Sequence, residues 1–186
     1  MTLIIVAFHS GYGHTRRLAE AVREGAAGLG GVDARLLDVA TVDDAGWAAL
    51  AGADAIVFGA PTYMGGPSAP FKAFADASAK AWFTQAWKDK VAGGFTCSLG
   101  MSGDKFSTLS YFVTLAMQHG MVWVGTGTHG AATPGDPLAV NRLGGFLGVM
   151  AQADNVPPEM SPPQGDIDSA LGYGRRVAEK ARALRA

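Results

Sequence analysis

With a single cysteine, Cys97, in 186 residues, the chain has no internal disulfide framework and no multi-cysteine zinc or iron–sulfur site. Neither sign of charge is in excess: 15 basic against 16 acidic residues leave a net charge of −1. Nucleic-acid binders concentrate positive charge, so a phosphate backbone is not expected as a partner. An acidic face that steers charged proteins is equally unsupported. Long apolar runs are also missing. The apolar start Leu3-Ile4-Ile5-Val6-Ala7-Phe8 follows only Met1 and Thr2, without the basic n-region of a signal peptide. It is far shorter than the roughly 20 apolar residues that span a bilayer. These absences together predict a cytoplasmic enzyme or carrier with no membrane span. Prolines number 9 and no Gly-rich repeat occurs, so collagen-like and low-complexity readings fail as well. What the chain does have is a 48% hydrophobic fraction, enough for a full core, and 26 glycines. That glycine share is well above the usual value of about 7%.

The length suits one domain. Leu3 to Phe8 reads as a central parallel strand buried on both faces. A helix follows, with Leu18, Ala19, Val22 and Ala26 on one side, ending near Leu29-Gly30-Gly31. A second strand fits Val32 to Val39, a helix Val42 to Ala51, and a third strand Ala55 to Ala60, with Pro61 as its stop. Phe71, Phe74 and Ala75 share a helical stripe, and Val91 to Ser98 makes a fourth strand. Phe106, Leu109, Phe112, Val113, Ala116 and Met117 recur at helical spacing before a fifth strand, Met121 to Val124. Residues about 126–163 read as a long loop or insertion, and the helix that closes the chain carries Ile167, Ala170, Leu171, Gly174, Val177, Ala178, Ala181 and Leu184 on one face. This alternation predicts an α/β fold, an open doubly wound sheet of five parallel strands. Such sheets bind ligands outside the carboxyl ends of their strands.

The residues at those ends are small, hydroxylic or aromatic. Strand one leads into Ser10-Gly11-Tyr12-Gly13-His14-Thr15 and then directly into a helix. Converging backbone amides, a helix N-terminus and two hydroxyls form a phosphate cradle without lysine. It is not a Walker loop, which ends in Gly-Lys-Ser/Thr. It is not a dinucleotide fingerprint either, since Arg16 stands where the third glycine belongs. A receiver domain would place carboxylates where His9-Ser10 and Ala60-Pro61 stand. A phosphomonoester bearing a large planar group fits better. Strand three leads into Pro61-Thr62-Tyr63-Met64-Gly65, whose aromatic and thioether suit a flat ring system. Strand four leads into Ser98-Leu99-Gly100-Met101-Ser102-Gly103, a third permissive loop at the same edge. Gln118-His119-Gly120 precedes strand five, with His119 expected to face the same crevice. Cys97 reads as a small buried strand residue.

These motifs, with His119-Gly120-Met121-Val122-Trp123-Val124-Gly125, resemble the flavodoxin-like NAD(P)H:quinone oxidoreductases of the WrbA type from residue 3 to about residue 125. The resemblance implies a flavodoxin-like sheet of strand order 2-1-3-4-5 and bound FMN, with NAD(P)H as electron donor. Ser10 to Thr15 would hold the FMN phosphate. Thr62, Tyr63 and Met64 would line the isoalloxazine, and Ser98 to Gly103 its pyrimidine side and ribityl chain. His119 corresponds to the family's FMN-contacting histidine, and Tyr12 and Trp82 would meet nicotinamide or quinone. The implied reaction passes two electrons from NAD(P)H to a quinone or similar small molecule by a ping-pong hydride mechanism, in a homodimer or homotetramer without metal. No general acid or base is assigned, since the cofactor supplies the chemistry. Leu99 and Met101 replace the family's usual hydroxyls, Asp104-Lys105-Phe106 replaces a polar stretch, and an insertion between strands two and three is missing. The rival readings are a flavodoxin-type one-electron carrier between protein partners and an NAD(P)H-dependent flavin, azo or nitro reductase. Trp47, Trp82 and Trp87 are candidate interface residues.

Overall fold

A computed structural model describes residues 1–185. The strands are β1 (Thr2–Phe8), β2 (Val32–Asp38), β3 (Ala55–Tyr63), β4 (Gly66–Pro67), β5 (Val91–Ser98), β6 (Val122–Trp123) and β7 (Val149–Gln152). The helices are α1 (His14–Ala27), α2 (Asp44–Gly52), α3 (Ala69–Ala77), α4 (Ala79–Phe83), α5 (Lys105–Gln118) and α6 (Gln164–Arg185). The parallel sheet runs in the order β2-β1-β3-β5-β6, with β7 also on β5 and β4 folded back on β3. This is the expected 2-1-3-4-5 arrangement, since β4 is only the short return arm of a hairpin.

Alternation within β1 builds both layers of the core. Ile4, Val6 and Phe8 face one side, packed among Leu18 and Val22 of α1 and Tyr173 and Val177 of α6. Ile5 and Ala7 face the other, among Leu50 of α2, Phe71 and Phe74 of α3 and Phe112 of α5. The contact of α1 with α6 is close because two glycines remove the side chains between them. A Cβ on Gly25 would lie 1.9 Å from the carbonyl oxygen of Leu171, and one on Gly174 would lie 1.9 Å from that of Val22. Trp87 is buried in the core, and the half-buried Trp47 stacks on it and on Phe74. Of the three candidate tryptophans only Trp82, at 52%, is exposed.

Two elements depart from expectation. Pro61 does not stop β3, which continues to Tyr63 and pairs Pro61 with Cys97. The ladder from β1 ends at Gly59, so the missing N–H of Pro61 falls where one flank of the strand is already open. The fifth strand, moreover, is split. β6 pairs Val122 and Trp123 with Val91 and Ala92, whereas β7 pairs Val149 to Gln152 with Phe95 to Ser98. The long loop expected at 126–163 therefore contains the carboxyl half of that strand. Tyr173 ties the end of the first half to β5: its hydroxyl donates to the carbonyl of Val124 and accepts the amide of Gly94. Burial raises the Tyr173 pKa, which keeps that hydroxyl protonated.

Candidate functional site

The three loops anticipated from the strand ends do meet at the carboxyl edge of the sheet, and a fourth joins them. A cavity of about 430 Å³ is lined by Tyr12, His14 and Thr15 from the first loop, Pro61 and Tyr63 from the second, and Cys97, Ser98 and Leu99 from the third. Its remaining wall is residues 153–158, the segment after β7, within the stretch 126–163 expected as a long loop. Ala151 and Val149 gave the available signal, a short apolar alternation just before it.

The first loop is pre-formed. Ser10 Oγ accepts the amides of Gly13 at 3.1 Å and Arg16 at 3.2 Å. The amides of His14 and Thr15, in the first turn of α1, have no acceptor within the helix and remain to receive an anion. Gly13 caps this helix with φ of +92°, where a side chain is strained, and a Cβ there would come within 2.8 Å of Pro158. The 153–158 segment is tied to the same place. His14 Nε2 lies 2.8 Å from the carbonyl oxygen of Val156, and Arg17 donates to that of Pro158 at 2.7 Å. Tyr63 leans across the crevice toward Gly11, with its ring edge-on to Tyr12 at 6.4 Å.

Other expected site residues support the cavity rather than line it. Thr62 is buried, its hydroxyl 2.8 Å from those of both Thr96 and Thr108, beneath the second loop. Met64 is fully exposed on the tip of the hairpin, and Gly65 is beside it. Gly65 accepts the hydroxyl of Ser107. Gly100 and Gly103 shape the third loop, where Ser98 Oγ donates to their carbonyls. Met101 and Ser102 face away from the first cavity and line a second hollow of about 580 Å³, with Phe106, Leu143 and Met150. The larger volume does not make that hollow the cofactor's, because it contains no part of the anion cradle. Thr15 Oγ1 is 3.3 Å from Cys97 Sγ, and burial pushes the Cys97 thiol up to about 11. A protonated, buried thiol is consistent with a structural role.

His119 and Trp82 lie away from the crevice. His119 follows α5, which descends from the carboxyl edge to the amino edge of the sheet. There its Nε2 meets Ser78 Oγ at 2.9 Å and its ring packs on Trp87 at 4.2 Å. Burial lowers its pKa. Trp82, on α4, comes after α3 has made the same descent. The eight residues of β5, about 3.3 Å each, put roughly 25 Å between that edge and the crevice. Neither residue faces the cavity, although both precede a parallel strand, which already assigns them to its amino end.

An open parallel sheet with an anion cradle after its first strand and a cavity at its switch point defines a flavodoxin-like fold. The chain belongs to the NADPH-dependent FMN reductase family, whose sequence model matches residues 2–133. It is 41% identical over 188 residues to Flavodoxin FldP of Pseudomonas aeruginosa, with all of both chains covered. It is 31% identical to an NAD(P)H dehydrogenase (quinone) of Geobacter sulfurreducens, covering 97% of this chain and 98% of that one. Among solved structures, a flavodoxin, WrbA-like protein from Agrobacterium tumefaciens superposes with a TM-score of 0.76 at 47% identity, over 98% of this chain and 99% of that one. The protein is thus a flavin-dependent redox protein, and the family implies FMN. The cradle amides and the Gly13 position fit a phosphate, and the cavity is of ligand size. Among the described residues no helix is long and apolar enough to cross a membrane, and no group of three or more potential metal-ligating residues occurs.

Because remote, independent sites do not couple, Trp82→Ala and His119→Gln are expected to leave FMN affinity within about twofold of the wild type. Titration of flavin fluorescence tests this, and a loss of about tenfold in either variant would return these side chains to the flavin site.

Proposed function

We propose that this chain is an FMN-bound electron carrier of the flavodoxin type, exchanging single electrons with protein partners at an exposed flavin edge. The observation that carries the reading is the open, apolar rim of the crevice. Tyr12, Met64 and Leu99 stand exposed around it, while Trp82, which with Tyr12 would stack nicotinamide or quinone, lies at the opposite edge of the sheet with His119. A rim of this kind offers a partner contact area that needs no charge, which removes the objection raised by a net charge of −1. The name of the Pseudomonas relative supports the same reading.

In the bound state the amides of His14 and Thr15, with the hydroxyl of Ser10 holding the loop, would take the phosphate. Residues 153–158 would cover it. Tyr63 and Tyr12 would lie against the ring system, with Ser98 and Leu99 along the ribityl side. FMN supplies the redox chemistry, and the chain supplies the orientation and the exclusion of water.

A second reading keeps the two-electron transfer from NAD(P)H to a quinone or similar small acceptor. The description of the family and the quinone dehydrogenase relatives favour it. The 580 Å³ hollow does so too, since the side chains of Phe106, Leu143 and Met150 suit a flat apolar molecule. Anaerobic reduction separates the two. The carrier should pass through a persistent one-electron-reduced form during dithionite titration and respond little to NADH or NADPH. Rapid, stoichiometric bleaching by either nucleotide, reversed by benzoquinone, would overturn the carrier reading in favour of the enzyme.

A further inference from the structure

Lys105 is a cation in an unfavourable place. It is the first residue of α5, where the helix macrodipole opposes positive charge, and its side chain is fully buried. An ammonium group removed from water needs all of its donors satisfied. Here Nζ donates to the carbonyls of Gly100, Met101 and Ser102, three consecutive residues of the loop that borders the crevice. In a planar trans peptide the carbonyl and the following N–H point in opposite directions. Carbonyls drawn inward onto Lys105 therefore turn the amides of Met101, Ser102 and Gly103 outward. Among the described residues those three amides meet no protein acceptor.

The charge behind the loop is also uncompensated at close range. Arg142 and Asp166 are buried nearby but pair with each other, Nε to Oδ1 at 2.8 Å, and so contribute little net charge. Cys97 is held as the neutral thiol. The carboxylates of Asp104 and Asp154 are exposed to solvent, which screens them.

Resting on the reading that FMN occupies the crevice, we propose that Lys105 is a positioning residue with an electrostatic role. It fixes the third loop, whose first residues Ser98 and Leu99 line the crevice, and places a buried positive charge behind that wall, so that reduced, anionic FMN is bound more tightly than oxidised FMN. Burial lowers the Lys105 pKa to about 8, which leaves most of the charge in place at pH 7.

The test compares wild type with Lys105→Met and Lys105→Gln in two measurements at pH 7. These are the dissociation constant for oxidised FMN and the flavin midpoint potential from anaerobic spectroelectrochemistry. Both variants remove the charge, and the glutamine amide can still donate to two of the carbonyls, which keeps the comparison usable if the methionine variant folds poorly. The expected result is a loss of affinity for reduced FMN about tenfold greater than that for oxidised FMN, read as a potential about 30 mV lower for a two-electron couple. An unchanged potential, with both redox forms weakened alike, would make Lys105 merely structural and overturn the inference alone. Wild-type protein that binds no FMN would overturn the flavin reading and this inference with it.

Discussion

Replacing Arg142 with methionine is expected to lower the free energy of unfolding by about 3–5 kcal/mol, the usual cost of orphaning one member of a buried ion pair. Asp166 is only 1% exposed. Its two oxygens accept Arg142 Nε at 2.8 Å, Arg142 Nη2 at 3.0 Å and the backbone amide of Gln152 at 2.9 Å. With the guanidinium gone, the carboxylate keeps a single backbone donor and loses its hydrogen-bonded counter-charge. The pair also links three parts of the chain distant in sequence: the segment between β6 and β7, β7 itself through Gln152, and the first turn of α6. Arg142 Nη2 reaches Gln152 Oε1 at 3.1 Å as well. Loss of the pair should therefore loosen β7 and the 153–158 wall of the crevice, weakening FMN binding along with stability. Urea denaturation followed by tryptophan fluorescence gives the stability change from the shift in midpoint at constant slope. The control is the double substitution Arg142→Met with Asp166→Leu. It removes both charges and should recover much of the loss, whereas a double variant no more stable than Arg142→Met would mean that the guanidinium acts by packing.

Gly13→Val is expected to raise the dissociation constant for FMN by about 100-fold or more, because two charge-assisted hydrogen bonds to phosphate are each worth about 1.5–3 kcal/mol. The substitution acts on one point in three ways. A β-branched side chain is strained at φ of +92°. Its Cβ would press to within 2.8 Å of Pro158 and push the covering segment away. The amides of His14 and Thr15, which follow the cap directly, would then turn from the phosphate. The rest of α1 is anchored independently by Leu18, Ala19 and Val22 in the core, so the fold should persist. Isothermal titration with FMN checks the affinity, and riboflavin, which lacks the phosphate, checks the cause. The variant should bind riboflavin nearly as well as wild type does. A comparable loss for both ligands would place the damage in the ring site.

Much of the architecture was legible because it is local. β5 occupies the expected Val91–Ser98, and α5 matches the periodicity from Phe106 to Met117 to within a residue at either end. A strand buried on both faces, or a helix with one apolar side, writes its own period into the sequence. The anion cradle was legible for the same reason, since Ser10 to Thr15 are consecutive and their geometry follows from a strand turning into a helix. Family membership likewise followed from ordered motifs. The errors have a common physical origin. His119 and Trp82 were assigned to the crevice although each precedes a parallel strand, and in such a sheet the helices carry the chain back to the amino edge. β7 was missed because four residues, Val149 to Gln152, are too few to show a period against their Gly- and Pro-rich surroundings.

The sequence by itself determined the class of fold, the edge of the sheet where the candidate site lies and the loop proposed to receive a phosphate, all consequences of short-range pattern and backbone permissiveness. Only the tertiary structure decided which side chains share the crevice. The 153–158 wall reaches it because β7 pairs with β5 across about 50 residues of chain. Lys105 lies under the third loop because three carbonyls satisfy a charge that a reading of its neighbours along the chain places in solvent. Burial and long-range pairing are properties of the packed chain, and no local spacing encodes them.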